Sequence, residues 1–268
     1  MKRIICVLLL SIVLFSSCSE YQKLLKSNDY ELKYKKAVGY YGAKDYVRAY
    51  NLFEKVRVVF RGTAKAPTIA YYTAYCLYGQ RDYISAGDLF NNLIHTFPTA
   101  SYVEECMYMR AYCYYLSSPN FRLDQAETNR AIDSFQLFIN RYPASSRVVE
   151  SNKYIDEMRD KLAYKEFEGA KSYYDRERYK AAIVSLQNCL KDYPESRHRE
   201  EVLYLLFSSR YELAVHSVEK KKIERYNEAR EEYLTFVDEF PQSEYKKEME
   251  KKYSDIEEFL SDLKVENK

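Results

Sequence analysis

The sequence predicts an all-α fold, an α-solenoid of five helix–turn–helix repeats closed by a C-terminal helix. Three observations carry that prediction. First, five alanines, Ala49, Ala86, Ala131, Ala182 and Ala229, each start the same pattern of large residues. Four residues on stand Phe53, Phe90, Phe135, Leu186 and Tyr233; seven on stand Val56, Leu93, Phe138, Cys189 and Phe236. Three residues before the anchors are Tyr46, Tyr83, Thr128, Tyr179 and Tyr226. This spacing forms one stripe on an α-helix. Second, eleven residues after each anchor comes an aromatic residue (Phe60, Phe97, Tyr142, Tyr193, Phe240), followed by proline in every copy but the first, which has Arg61. Proline lacks an amide hydrogen and disfavours helix in the residue before it, so it stops each helix. Third, only 6 Gly and 6 Pro occur in 268 residues, leaving little room for phosphate loops or proline-rich linkers.

Composition narrows the function classes. Hydrophobic residues make up 47% and charged residues 31%, which excludes a disordered chain. A mean hydropathy of −0.56 excludes a polytopic membrane protein. The three histidines, His95, His198 and His216, are widely separated, and no catalytic set, metal-ligand cluster or cofactor motif can be assembled. The expectation is therefore a binding protein: not an enzyme, with no cofactor and no metal. A saccharide binder would use tryptophan platforms, and there is no tryptophan.

The elements follow in chain order. Lys2 and Arg3 precede an apolar run from Ile4 to Phe15, the layout of a signal peptide over residues 1–17. The run is too short to span a bilayer, which takes roughly 20 residues. It ends in Leu14-Phe15-Ser16-Ser17-Cys18, which resembles a bacterial lipobox and makes Cys18 the expected site of lipidation. Acyl chains on Cys18 would hold the protein to a membrane. Residues 18–32 are expected to be a tether. After the signal is removed, 40 basic and 40 acidic residues remain, so no nucleic-acid footprint is expected.

The repeats are expected at about 33–62, 66–98, 101–143, 147–194 and 199–241. Ala37, Ala74 and Ala170 lie twelve residues before their anchors and give each first helix a small residue too. Ala74-Tyr75-Cys76-Leu77-Tyr78 matches Ala111-Tyr112-Cys113-Tyr114-Tyr115 position for position. Such units resemble the tetratricopeptide repeat (TPR), with anchor spacings of 37, 45, 51 and 47. Ser117-Ser118-Pro119-Asn120 interrupts the third unit and His216 to Lys222 lengthens the fifth. Ser145, Ser196 and Ser243, two residues after three of the prolines, are expected to cap the following helices. In residues 244–268, Tyr245, Met249, Tyr253, Ile256, Phe259, Leu260 and Leu263 form an apolar stripe, with Lys246, Lys247, Lys251 and Lys252 expected to face away. This helix either caps the solenoid or docks a partner. Cys76, Cys106, Cys113 and Cys189 read as buried small hydrophobes, with a Cys76–Cys113 bridge as the alternative.

TPR-like arrays bind polypeptides on the first helix of each unit. The candidate groove residues are Tyr40, Tyr41, Tyr71, Tyr72 and Tyr75, rigid rings that also offer a hydroxyl. The alternative for each is packing between helices. Arg110 is a candidate partner for a peptide carboxylate, or else part of a surface salt bridge.

A lipobox, five such units and a terminal helix resemble the BamD (YfiO) family of outer-membrane assembly lipoproteins. Cys106-Met107-Tyr108-Met109-Arg110-Ala111 matches that family's Met-Tyr-Met-Arg-small signature. Tyr173-Tyr174 through Arg176 and Tyr179, and then Lys191-Asp192-Tyr193-Pro194-Glu195-Ser196, are similar to its fourth-repeat block. Glu177-Arg178 replaces the family's usual Gly-Ala, which implies a slightly different turn. The resemblance covers about residues 15–245. It implies lipid anchoring at the periplasmic face of the outer membrane. The implied partners are an Omp85/BamA-type barrel subunit, other assembly-machinery lipoproteins and unfolded outer-membrane protein precursors. An adaptor lipoprotein of cell-envelope division or of a peptidoglycan-linked complex is the alternative.

Overall fold

The computed structural model describes residues 20–266. The signal segment and Cys18 lie outside the described residues. Among the described residues every regular element is a helix. A short helix, α1 (20–26), precedes α2 (Tyr30–Gly42), α3 (Tyr46–Val59), α4 (Ala66–Gly79), α5 (Tyr83–Thr96), α6 (Val103–Ser117) and α7 (Ala126–Arg141). Then come α8 (Val148–Asp175), α9 (Tyr179–Asp192), α10 (Arg199–Val215), α11 (Glu219–Glu239) and α12 (Lys246–Glu266). Two compact units form. One comprises the chain up to Pro119 with Gln125–Ile155; the other comprises Asn120–Asp124 with the chain from Asp156 onward.

In the first unit each helix from α2 to α7 packs on the next in sequence, as stacked hairpins do. The anchors explain why. Ala49, Ala86 and Ala131 are fully buried, as are Phe53, Phe90 and Phe135 one turn later and Val56 and Phe138 beyond them. A methyl side chain lets the neighbouring helix approach, and the large residues fill the space on either side. Gly87, beside an anchor, takes this further: a Cβ there would meet the Tyr114 ring at 2.5 Å. The second unit repeats the scheme on α9, α10 and α11, with Ala182, Leu186, Ala229 and Phe236 fully buried. On α12, Met249, Ile256 and Leu260 are buried in the same cluster as Leu203, Phe207, Tyr233 and Phe236, so this helix closes the apolar end of the unit.

The stop signal at each second helix is resolved residue by residue. The aromatic residue eleven after the anchor is the C-cap in all five repeats, its N–H donating to the carbonyl four residues back. Before proline, Phe97, Tyr142, Tyr193 and Phe240 adopt φ −125 to −133° and ψ 61 to 64°. Phe60, followed by Arg61, stays near the helical region at φ −86° and ψ 7°. The proline ring thus bends the chain out of the helix. The serines act differently from expectation. Ser145, Ser196 and Ser243 accept from the N–H two residues on, at 3.1–3.4 Å, so they brace the turn ahead of each helix rather than capping it.

The hairpin turns hold another difference. Lys44, Arg81 and Glu177 all have positive φ (60°, 64° and 58°). In each, the following N–H reaches back five residues to a carbonyl (Asp45 to Tyr40, Asp82 to Leu77, Arg178 to Tyr173). This is the Schellman closure of a helix, usually built on glycine. The turn at Glu177-Arg178 is therefore the same as its counterparts despite lacking glycine. The insertion in the fifth unit is helical from Glu219 and lengthens α11.

The cysteines Cys76, Cys106, Cys113 and Cys189 are free and buried. Burial pushes the thiols of the first three up to about 12, so they stay protonated.

Candidate functional site

The first helices of successive hairpins in the first unit carry a connected row of tyrosine rings. Tyr71 and Tyr75 are one turn apart on α4, so their rings meet at 4.7 Å. Tyr71 also contacts Tyr72 at 5.7 Å and Tyr102 at 4.8 Å. Tyr72 lies 4.7 Å from Tyr41 on α2 and stacks on Phe53. Onward, Tyr75 meets Tyr78, Tyr78 meets Tyr112 on α6, and Tyr112 meets Tyr115 and Tyr154. Tyr41, Tyr71, Tyr72 and Tyr75 are all partly exposed, so each packs on a helix and also shows a ring edge to solvent. The two readings of these tyrosines, groove and packing, are thus compatible.

The structure brings together four of the six candidates and separates two. Tyr40 lies apart, against Tyr21 at 5.8 Å and under the Arg48 guanidinium. Arg110 is not on the tyrosine face. Two residues along a helix turn about 200°, which sets it opposite Tyr108 and Tyr112. It is 6% exposed, its Nη1 donates to Asn91 Oδ1 at 2.9 Å, and its Nε has no partner. Among the described residues it forms no surface salt bridge.

Glu105 fixes the middle of the row. The Tyr75 hydroxyl donates to Oε1 at 2.5 Å and the Tyr71 hydroxyl to Oε2 at 3.2 Å. Burial first, and then this carboxylate, push both phenols well above their ordinary range. Tyr41 is pushed up to about 12, chiefly by burial. Tyr41, Tyr71 and Tyr75 therefore keep neutral hydroxyls throughout the physiological range.

Glu105 belongs to a register that the residue pattern holds but the anchors do not announce. It is the third residue of α6, and Glu150, Glu201 and Glu248 are the third residues of α8, α10 and α12. All four lie nineteen residues after an alanine anchor. A carboxylate in the first turn is favoured by the helix dipole. Each also receives a donor from the preceding first helix: Tyr108 for Glu150 at 2.7 Å, Lys171 for Glu201 at 2.7 Å and Tyr204 for Glu248 at 2.8 Å. Lys252, expected to face away, is turned in by this register. Its ammonium pairs with Glu248, approaches Ser208 Oγ at 3.3 Å, and lies over the Tyr204 and Tyr211 rings.

A separate cleft of about 630 Å³ opens between the end of α3, α4 and α5, with Val58, Ala70 and Leu93 among its walls and Arg57 and Arg61 at its edge. It occurs at the repeat where arginine stands in place of the turn proline, and Gly62 (φ 79°) carries the chain around it. Among the described residues there is no group of three or more His, Cys, Asp or Glu able to hold a metal ion, and no helix is long and apolar enough to cross a membrane.

Known proteins similar to this chain include two solved structures. One is the TPR2AB domain of yeast Sti1 in its pHSP90 complex, at 12% identity and a TM-score of 0.39, covering 85% of this chain and 98% of that one. The other is a TPR-repeat protein from Bacteroides fragilis, at 12% identity and a TM-score of 0.42, covering 87% and 100%. A curated relative, outer membrane protein assembly factor BamD of Rickettsia prowazekii, is 30% identical over 107 residues. That match spans 40% of this chain and 43% of the relative, less than half the length of either. The model of the YfiO family, described as an outer membrane lipoprotein, matches residues 27–226 and again 170–266. Matched along the whole run of repeats, the chain belongs to the YfiO family of outer membrane lipoproteins.

Proposed function

We propose that the protein is a lipid-anchored scaffold at the periplasmic face of the outer membrane. It assists assembly and insertion of β-barrel outer-membrane proteins by binding polypeptide. The observation that carries this reading is the row Tyr41–Tyr72–Tyr71–Tyr75, partly exposed rings on two successive first helices. An extended precursor strand alternates aromatic and polar residues. Ring edges and neutral hydroxyls spaced one helical turn apart suit such a strand, because they give apolar contact and hydrogen bonding together. The Rickettsia relative's name, an assembly factor for outer membrane proteins, supports the same role. The proposed partners are unfolded barrel precursors, an Omp85/BamA-type barrel subunit and other lipoproteins of the assembly machinery. Binding is weak per contact, and tethering through Cys18 raises the effective concentration near the membrane partner. No step needs catalysis.

The test is binding of a precursor peptide to the variant Tyr71→Ala/Tyr75→Ala, with Tyr71→Phe/Tyr75→Phe beside it. The alanine pair should lose about tenfold or more in affinity, given that buried aromatic anchors carry most of an interface's energy. The phenylalanine pair keeps the rings and should retain most of it. Equal affinity for all three proteins removes the groove. Affinity purification from solubilised membrane should recover a barrel-forming subunit; a division or peptidoglycan-linked complex in its place would overturn the assembly role.

A further inference from the structure

We propose that the first hairpin lies on an anionic phospholipid surface, through headgroup contacts from Lys23, Lys26, Lys35 and Lys36. Three independent observations lead there. The chain's charge is unevenly distributed: residues 20–65 hold eleven basic and five acidic residues, net +6, whereas residues 66–268 hold 29 and 35, net −6. The near-neutral total hides this.

Next, the acidic residues of that stretch are largely occupied, while four of its exposed lysines are not. Glu31 pairs with Lys65 and Glu54 with Arg57. Asp29 and Asp45 accept from the N–H groups of Leu32 and Arg48 at the starts of α2 and α3. Lys23, Lys26, Lys35 and Lys36 are exposed, and none has a carboxylate partner among the described residues.

Finally, the segment next to Cys18 is docked rather than loose. Within the expected tether, Tyr21 is buried at 8% exposure in the cluster of Ala37, Ala49 and Leu52. The Lys33 ammonium, itself 3% exposed, donates to the Leu25 carbonyl at 3.0 Å and ties the end of α1 to α2. Two residues separate Cys18 from Tyr21, three steps along the chain and a reach of about 11 Å at most. A lipid on Cys18 therefore keeps the first hairpin close to the bilayer, where the headgroup potential acts on exposed lysines. This placement rests on the lipid attachment in the proposed function. The test removes the lipid, so the two can fail separately.

The experiment uses the full mature chain carrying Cys18→Ala, sedimented with vesicles of phosphatidylcholine alone or of equal parts phosphatidylcholine and phosphatidylglycerol. Binding should appear only with the anionic vesicles and fade as salt rises. The variant Lys23→Gln/Lys26→Gln/Lys35→Gln/Lys36→Gln should lose about fivefold per lysine, so about a hundredfold or more in all. Lys220→Gln/Lys221→Gln, in the second unit, should bind as the parent does. All four lysines are exposed, so circular dichroism should be unchanged, and the precursor-peptide affinity should be unaltered. Equal binding to both vesicle types, binding insensitive to salt, or equal loss in the Lys220/Lys221 control would each overturn the proposal. If the basic hairpin instead serves an acidic protein partner, the anionic vesicles will not bind, which also overturns it.

Discussion

The first unit joins its successive first helices through tyrosine hydroxyls, whereas the second mixes tyrosine hydroxyls (Tyr204 on Glu248, Tyr211 on Asp255) with a lysine (Lys171 on Glu201) for the same task. Glu105 and Glu150 take Tyr71, Tyr75, Tyr108 and Tyr154. Glu201 takes Lys171, and Glu248 takes both Tyr204 and Lys252. Around them the second unit adds Arg199 on Glu239 and Arg210 on Glu228 and Glu232. The carboxylate position is set by the turn and the helix N-terminus, which every repeat shares. The donor is free to vary. Tyrosine fills that position for Glu105, Glu150 and Glu248, and lysine for Glu201. The architecture is common to both units, and the mix of donors that joins the first helices is not.

If the two units share one packing scheme, equivalent core truncations should cost alike. Phe90 and Leu186 both lie four residues after an anchor and are fully buried. Phe90→Ala should cost about 3–5 kcal/mol and Leu186→Ala about 2–5 kcal/mol, read as the shift in the denaturant midpoint. A Leu186→Ala cost below about 1 kcal/mol would mean that the second unit is held by its ion pairs rather than by the stripe.

The hairpin turns sharpen the contrast. Lys44 and Arg81 in the first unit and Glu177 in the second all occupy the left-handed region. There a side chain costs roughly 1–2 kcal/mol. In the first unit, however, the residues that follow, Asp45 and Asp82, accept from Arg48 and Ser85 N–H and cap the next helix. Arg178 makes no such bond. Glu177→Gly should stabilise by about 0.5–1 kcal/mol, part of the relief being returned to the unfolded chain's freedom. Arg178→Asp should add about 1 kcal/mol. If thermal midpoints rise for neither, the strain and the missing cap are compensated elsewhere in the turn.

The stripe was readable because core packing demands one residue class every helical turn, and five copies repeat the demand. Helix ends were readable because an aromatic residue before proline has a single stereochemical consequence, the bend at Phe97, Tyr142, Tyr193 and Phe240. The polar layer was harder to read. Glu105 and its equivalents sit in a chain where nearly a third of residues are charged, so a single glutamate at a helix start does not stand out until its donor is seen. Arg110 reads as a surface cation because arginine usually is one; its burial depends on Asn91 from another helix. Glu177 hides its left-handed turn because only glycine announces that conformation. Of the candidate tyrosines, helical spacing alone could pair Tyr71 with Tyr75, but Tyr40 and Tyr41 are neighbours in sequence, and only the packing of α1 and α4 separates them.

The smallest effect separates the two donor chemistries by pH. In the first unit, the hydroxyls of Tyr108 and Tyr154 hold the Glu150 carboxyl below its ordinary 4.5. A lowered value means that the charged form is the one the fold favours. Its contribution is complete above the ordinary value and is lost as pH falls through the lower folded one. In the second unit the hydrogen bond that Lys171 donates to Glu201 raises its ammonium above 10.5. That contribution is complete below the ordinary lysine value and is lost as pH rises through the folded one. Glu150→Gln should therefore flatten the acid limb of the stability profile, and Lys171→Gln the alkaline limb. Both groups are substantially exposed, so each effect should stay within about 1 kcal/mol. Added salt should erase the Lys171 difference, which arises between two full charges, and leave more of the Glu150 difference, whose partners are neutral hydroxyls. Denaturant midpoints measured across pH at low and high salt would read both. An acid limb unchanged by Glu150→Gln, or a Lys171 effect indifferent to salt, would show that the two units differ in residue type but not in the physics that joins their helices.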